Sequence, residues 1–380
     1  MKRLKFAQHL GTRMLLIAVF LLPLIAGFTT PVSADGGDGD KARRVYTMTN
    51  SSSGNEVIEI RAGKDGSPTS TAYSTGGLGS GAGLGSQGSV VLSENGRWLF
   101  AVNAGSNQVS VFLVRKNGLK LTDVVDSGGE MPISLTVHGP LVYVLNAGGS
   151  GNISGFWLRN NGKLKALEGS TQPLSNGGTG ESPQPAQVSF HPDGDLLVVT
   201  EKMTNLIVTY EVHKGIAGSP TTYPSAGMTP FGFAFDKQNH LIVSEAFGGA
   251  PGASAMSSYK VKGDVFEVIS PSIGTTQTAA CWVVISKDGK YAYDTNTGSG
   301  SISSFLIGKD GSLTLLDPQA GLTGEGSSPI DMALSHNGKY LFAIGATSSM
   351  ISAFEVNADG SLDHLGDTSV PAGSVGLAAH

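Results

Sequence analysis

Between Gly96 and Phe112 the chain reads GRWLFAVNAGSNQVSVF, and related text restarts at Gly139, Gly194, Asn239, Gly289 and Gly338. The steps between these anchors are 43, 55, 45, 50 and 49 residues. A period of that length, built from short strands and turns, marks a β-propeller, in which a blade buries its faces only against its neighbours. Every repeat follows one grammar. An inner apolar strand, such as Ser89 to Ser93 or Asp331 to Ser335, runs into an Asn-Gly or Asp-Gly pair at 95–96, 193–194, 288–289 or 337–338. Such pairs tolerate positive φ and close a hairpin. A second strand follows, then a polar loop, a third strand such as Gln108 to Phe112, a further Gly-containing turn and an outer strand.

Six blades can be counted from residue 89 to about residue 370, and the seventh is split. Pro371 to His380 aligns with Pro329 to His336, an inner strand, but no second strand follows it. Val45 to Asn50 reads as a second strand with no inner strand before it. The tail is therefore expected to supply the inner strand of the first blade, which closes the ring and leaves no open sheet edge. The expected fold is all-β: one seven-bladed β-propeller over residues 45–380.

Residues 1–34 read as a secretory signal. Lys2, Arg3, Lys5 and Arg13 form a basic region, Met14 to Ala26 an apolar run, and Val32-Ser33-Ala34 a small-residue cleavage site. The apolar run is shorter than the roughly 20 residues of a spanning helix. Export is expected, to a periplasm, an envelope or the medium, with no membrane span after cleavage. Residues 35–44 read as a flexible leader.

Without the signal, 21 basic residues face 30 acidic ones. That balance excludes a nucleic-acid partner, which needs clustered Lys and Arg. Cys281 is the single cysteine, so no internal disulfide is expected. The partner expected is a small molecule, and the chain is expected to be a monomer.

Ligand sites in such a ring are expected at the mouth where the blade-joining loops converge. The last residue of each second strand falls there: Asn50, Asn103, Asn146, Glu201, Glu245, Asn296 and Gly345. Asn ends strands by bonding its own backbone, which explains the asparagines without a ligand. Glu201 and Glu245 are not turn formers, and they lie in neighbouring blades. Brought together, they would raise one pKa for acid–base work or hold a divalent cation. Lys202 offers the plain alternative, a solvated ion pair with Glu201. The starts of the inner strands add Gln184, Gln187, Phe231, Cys281, Trp282 and Asp331. The aromatics among these serve packing as readily as a ligand. Cys281 has no base beside it and reads as a buried thiol.

Gly83-x-Gly85-x-x-Gly88 has the form of a dinucleotide fingerprint, but it leads into a strand where the fingerprint needs a helix. It reads as a loop between blades, and no cofactor is expected. His138, His191 and His336 fall at hairpin turns on the opposite face. No metal-ligand spacing and no Gly-x-Ser-x-Gly elbow is present.

The text FHPDGDLLVVTE at 190–201 and AVNAGSNQVSVF at 101–112 resembles the seven-bladed lactonase family, which includes bacterial 6-phosphogluconolactonases and fungal carboxymuconate-lactonising enzymes. The resemblance runs from about residue 45 to the end. It implies that Val198-Val199-Thr200-Glu201 matches the family's Val-Val-Asn-Glu, with the Glu kept. The family's Pro-Arg-His reads Pro185-Ala186-Gln187 here, and its Pro-Arg-Asp reads Pro329-Ile330-Asp331. Arg is the natural phosphate clamp, so its loss at both places argues against a sugar-phosphate substrate.

Two functions follow. In the first, an exported lactonase-like enzyme hydrolyses or forms a small non-phosphorylated lactone, with Glu201 or Glu245 as base. Asn103, Asn146, Gln187, Asn296, Asp331 and Trp282 would contact the substrate or its oxyanion. In the second, the propeller binds a small molecule, glycan or protein without catalysis, because fold alone does not fix function.

Overall fold

The computed structural model describes residues 44–62, 67–263 and 265–380. The signal and nearly all of the leader lie outside the described residues. Seven antiparallel sheets form a ring. Blade 2 shows the pattern: inner strand Val90–Leu92, second Trp98–Asn103, third Gln108–Arg115 and outer Gly118–Asp126. The inner strands of blades 3 to 7 are Pro132–His138, Pro185–Phe190, Pro230–Phe235, Ala280–Ile285 and Pro329–Leu334.

Blade 1 is the split one, as expected. Its order is Pro68–Ser74, Glu56–Ala62, Arg44–Met48 and then Val375–Ala379. Val45 stands opposite Ala379 and Tyr46 opposite Ala378. The Thr47 hydroxyl donates to the Val375 carbonyl at 3.1 Å.

Alternation places the strand side chains on the two faces of each sheet, against the neighbouring blades. Leu99, Phe100, Val102, Tyr143, Val144 and Tyr210 are fully buried there. Side chains also stitch the blades by their backbones. The amide of Gln187 (blade 4) both donates to the Phe233 carbonyl (3.0 Å) and accepts from the Phe233 N–H (2.7 Å) of blade 5. Asp331 accepts from Leu377 N–H at 3.0 Å, joining blade 7 to blade 1. Arg44 donates to the carbonyls of Arg115 and Lys116 in blade 2, and Glu59 beneath it also pairs with Arg61 at 2.8 Å.

Removal of residues 371–380 takes away the closing strand and the buried Val375 and Leu377. At roughly 1.5–3 kcal/mol for each buried aliphatic side chain, a loss of at least about 3 kcal/mol is expected. A urea melt of the truncated chain beside the full chain measures it, and an unchanged midpoint would contradict the closure.

Candidate functional site

The last residues of the second strands do not face the mouth. Asn103, Asn146, Glu201, Glu245 and Asn296 are all fully buried. The reason is geometric: a second-strand side chain stands perpendicular to its own sheet, so it points at a neighbouring blade, and only the inner strands border the channel. Each residue is tied down locally. Asn103 donates to the Ser110 hydroxyl at 2.7 Å, Asn296 to the Ser303 hydroxyl at 2.8 Å, and Asn146 to Asn152 Oδ1 at 2.8 Å.

The two glutamates are held in the same way. Glu201 accepts from the Ser175 N–H (3.0 Å), the Ser175 hydroxyl (2.5 Å) and the Thr204 hydroxyl (2.7 Å). Glu245 accepts from the Gly227 N–H (2.7 Å), the Ser257 hydroxyl (2.5 Å) and the Ser272 hydroxyl (2.6 Å). They share no partner, and every carboxylate oxygen already accepts at least one hydrogen bond. Such carboxylates pin loops to strands and do not fit a shared cation. Burial pushes the Glu245 carboxyl above its usual range, and the Ser257 and Ser272 bonds oppose that shift.

The channel itself holds a cavity of about 310 Å³. Gln87, Thr136, Gln187, Ser189 and Asp331 are its polar lining, with Val90, Leu135, Val188 and Leu377 between them. Burial raises the Asp331 carboxyl well above its usual range, although the N–H groups of Met332 and Leu377 bond it.

The loop from Gly76 to Gly88 leads into a strand, as expected, but it also does something the sequence did not announce. Its last residues cross the upper end of the channel. The Gln87 amide exchanges two hydrogen bonds with the Val283 backbone (2.9 and 3.2 Å), and the Trp282 indole N–H donates to the Ser86 carbonyl (2.9 Å). Both contacts join blade 2 to blade 6. The Ser86 hydroxyl reaches the Ile133 carbonyl of blade 3, and the Gln87 N–H reaches Ala186 of blade 4. Trp282 is thus buried beneath the crossing segment, its ring 5.1 Å from Phe231.

Lys202 sits at this crossing and makes no ion pair with Glu201. Its ammonium nitrogen donates to the carbonyls of Gly85 (2.6 Å) and Pro185 (3.1 Å) and lies 4.7 Å from the centre of the Phe231 ring. Desolvation lowers its pKa to about 8. The neighbouring Cys281 thiol is pushed up to about 12 by burial, so it is no nucleophile. A signal for Lys202 existed. The matching residue in the other blades is Ser51, Ala104, Ala147, Ala246, Thr297 or Ala346, none of them charged.

The lower face carries the hairpin turns, and the three histidines lie there as expected. A wider cavity of about 590 Å³ is bordered by Glu94, His336 and His380. His191, Asp193 and Asp195 cluster at one turn. The His191 Nδ1 already accepts from the Asp193 N–H at 3.3 Å, so the turn itself accounts for that group.

The seven sheets in a ring define the fold as a seven-bladed β-propeller. Residues 260–376 match the model of the family described as lactonase, 7-bladed beta-propeller, which bears out the resemblance. No curated protein sequence matches the chain. Among solved structures, a Bacteroides uniformis protein provisionally named 6-phosphogluconolactonase is 20% identical, with TM-score 0.67 over 88% of this chain and 99% of that one. The periplasmic gluconolactonase of Pseudomonas aeruginosa is 16% identical, with TM-score 0.61 over 88% and 98%. Virginiamycin B lyase of Staphylococcus aureus is 14% identical, with TM-score 0.54 over 77% and 88%. At these identities the likeness is one of fold.

Gly227 packs directly on the Glu245 carboxylate, and a Cβ there would run into Glu245 Oε2 and the Ser272 hydroxyl. Gly227→Ala is expected to lower stability by roughly 1–3 kcal/mol through overpacking. Gly83, with nothing near its would-be Cβ, is the control, and Gly83→Ala is expected to leave the urea midpoint in place.

Proposed function

We propose that this chain is an exported, lactonase-type propeller that hydrolyses a small non-phosphorylated lactone at the upper mouth of its channel, with Lys202 as the general base. The observation that carries this reading is Lys202 itself. It is a desolvated amine at the crossing segment, with a pKa near the pH at which such a base works best. In its neutral form the two N–H groups serve the Gly85 and Pro185 carbonyls, and the lone pair is left for a water molecule. The amine takes a proton from that water as its oxygen adds to the lactone carbonyl carbon. The ring C–O bond then breaks, and the released oxygen takes the proton back. The carboxylate of the hydroxy acid so formed suits a neighbouring ammonium. A mouth with one lysine and no arginine fork favours a carboxylate or lactone over a phosphate ester.

Export rests on the signal-like residues 1–34. Among the described residues, no helix is long and apolar enough to cross a membrane.

A second reading has its own support. The crossing segment covers the mouth, and Glu201 and Glu245 are both engaged within their blades, which suits a propeller that binds a small carboxylate without turning it over.

A pH-stat screen of residues 35–380 against sugar, aliphatic and aromatic lactones separates the two. Turnover is expected to rise from pH 7 to pH 9, because the base is the unprotonated form of a group with pKa about 8. Lys202→Met should lower it at least about a hundredfold. Glu201→Gln should reduce thermal stability and leave the pH profile in place. No turnover by the wild type, with hydroxy-acid binding that Lys202→Met abolishes, would establish the binding reading instead.

A further inference from the structure

In an acidic molecule, one stretch of the lower rim is basic. The text joining third strand to outer strand reads Arg115-Lys116-Asn117-Gly118 in blade 2 and Arg159-Asn160-Asn161-Gly162-Lys163 in blade 3. The matching text is Lys309-Asp310-Gly311 in blade 6 and Asp359-Gly360 in blade 7. Residues 95–122 and 157–166 contain no acidic residue, although acidic residues outnumber basic ones in the mature chain. Arg97, Arg115, Lys116 and Lys120 of blade 2 are exposed, and so are Arg159, Lys163 and Lys165 of blade 3. Among the described residues, none of these seven forms an ion pair. Lys260 and Lys290 elsewhere on the rim do, with Glu267 and Asp288.

The seven charges belong to one surface, because the two blades touch at these turns. The Thr122 hydroxyl of blade 2 donates to the Gly162 carbonyl of blade 3 at 3.1 Å, and the half-buried Asp123 accepts from the Leu164 N–H at 2.8 Å. Gly162 lies so close to the Trp98 ring that a Cβ would run into it, and the Arg97 guanidinium stands 5.2 Å from the centre of the same ring. Trp157 adds an aromatic group. It lies in the third strand of blade 3 and is 44% exposed, whereas Trp98 and Trp282 are buried. Across the sheet it stands directly opposite Lys165, so the two side chains share a face.

Unpaired lysines and arginines are attracted to anionic head groups, and an amphipathic indole settles at head-group level. A purely electrostatic partner would make no use of the indole. We propose that the outer turns of blades 2 and 3 dock this protein on an anionic lipid bilayer, with Trp157 in the head-group layer. Such docking is peripheral and reversible, because charge and one aromatic side chain hold it and no apolar segment inserts. Each third strand runs from the upper mouth back to the lower face, so this surface is separate from Lys202 and the inference is independent of any turnover.

The test mixes residues 35–380 with vesicles of phosphatidylcholine alone, or of phosphatidylcholine and phosphatidylglycerol in equal parts, and reads binding by sedimentation and tryptophan emission. At about 10 mM salt, where the Debye length is roughly 30 Å, the chain should sediment with the anionic vesicles only. Its emission should shift to the blue, because Trp157 is the one tryptophan that faces water. At about 1 M salt, where that length is roughly 3 Å, it should be released. Removing two surface charges corresponds to roughly thirtyfold in membrane affinity, so Lys163→Gln with Lys165→Gln should weaken binding by about that factor. Trp157→Ser should bind more weakly, keep the salt dependence and lose the blue shift. Lys309→Gln, in the matching turn of blade 6, should bind as the wild type does. All these side chains are exposed, so the variants should fold. A wild type that stays in solution beside anionic vesicles at low salt would overturn the proposal. So would undiminished binding by the Lys163→Gln, Lys165→Gln variant. A chain that binds soluble polygalacturonate but no vesicle would overturn it too, and would assign the surface to acidic glycans.

Discussion

In a closed ring of sheets, every blade gives both of its faces to its neighbours. That constraint governs the molecule. Most side chains on second and third strands go into an interface, whatever their polarity, although Trp157 and Leu306 on third strands stay exposed. Solvent reaches the outer strands, the starts of the inner strands, the turns, and the loops that join blades. The polar ring of Asn103, Asn146, Glu201, Glu245 and Asn296 follows from this. These groups lie inside the protein, and most of their polar atoms bond within their own blade or the loop before it, while Asn146 Oδ1 and Asn296 Oδ1 have no partner. A glutamate with three donors around it serves as a clasp between loop and strand.

The same constraint explains what could be read from the sequence. The Asn-Gly and Asp-Gly pairs mark hairpins because only a few residues tolerate positive φ. Their spacing was therefore enough to count blades, and the unmatched ends at Val45 and Val375 were enough to pair them. The site was less legible. Assigning Glu201 and Glu245 to the mouth located their backbones correctly and their side chains wrongly, since strand end and side-chain direction are separate facts. Lys202 stands out only when the seven blades are compared position by position, where a charge replaces Ala, Ser or Thr. The bonds from Trp282 to Ser86 and from Gln87 to Val283 span 196 residues each. No local pattern encodes a pairing across a channel, and a glycine-rich stretch gives no hint of where it will lie.

The crossing segment changes what the mouth can be. An unobstructed propeller offers a funnel into its channel. Here Ser86 and Gln87 bridge blades 2 and 6, and the channel cavity lies below them. The chemistry above the bridge belongs to Lys202 and Phe231. The chemistry below belongs to Gln187 and Asp331, whose polar atoms already bond neighbouring backbones. At the crossing segment the Lys202 ammonium nitrogen lies over the Phe231 ring. The lysine donates to Gly85 within the crossing segment, so binding at its nitrogen and the position of that segment are physically linked.

Blade 1 is assembled from the two extremes of the chain. Its inner strand pairs with a strand that lies more than three hundred residues earlier in the sequence. Blades 2 to 7 can each form from contiguous sequence, but blade 1 is complete only when residues 375–379 pair with its second strand. Without that pairing blade 1 lacks its inner edge, and the side chain contacts of the closing strand with blade 7 are lost too. The clasp thus makes blade 1 the one blade whose sheet, among the described residues, depends on two distant segments, so loss of either segment opens the ring there.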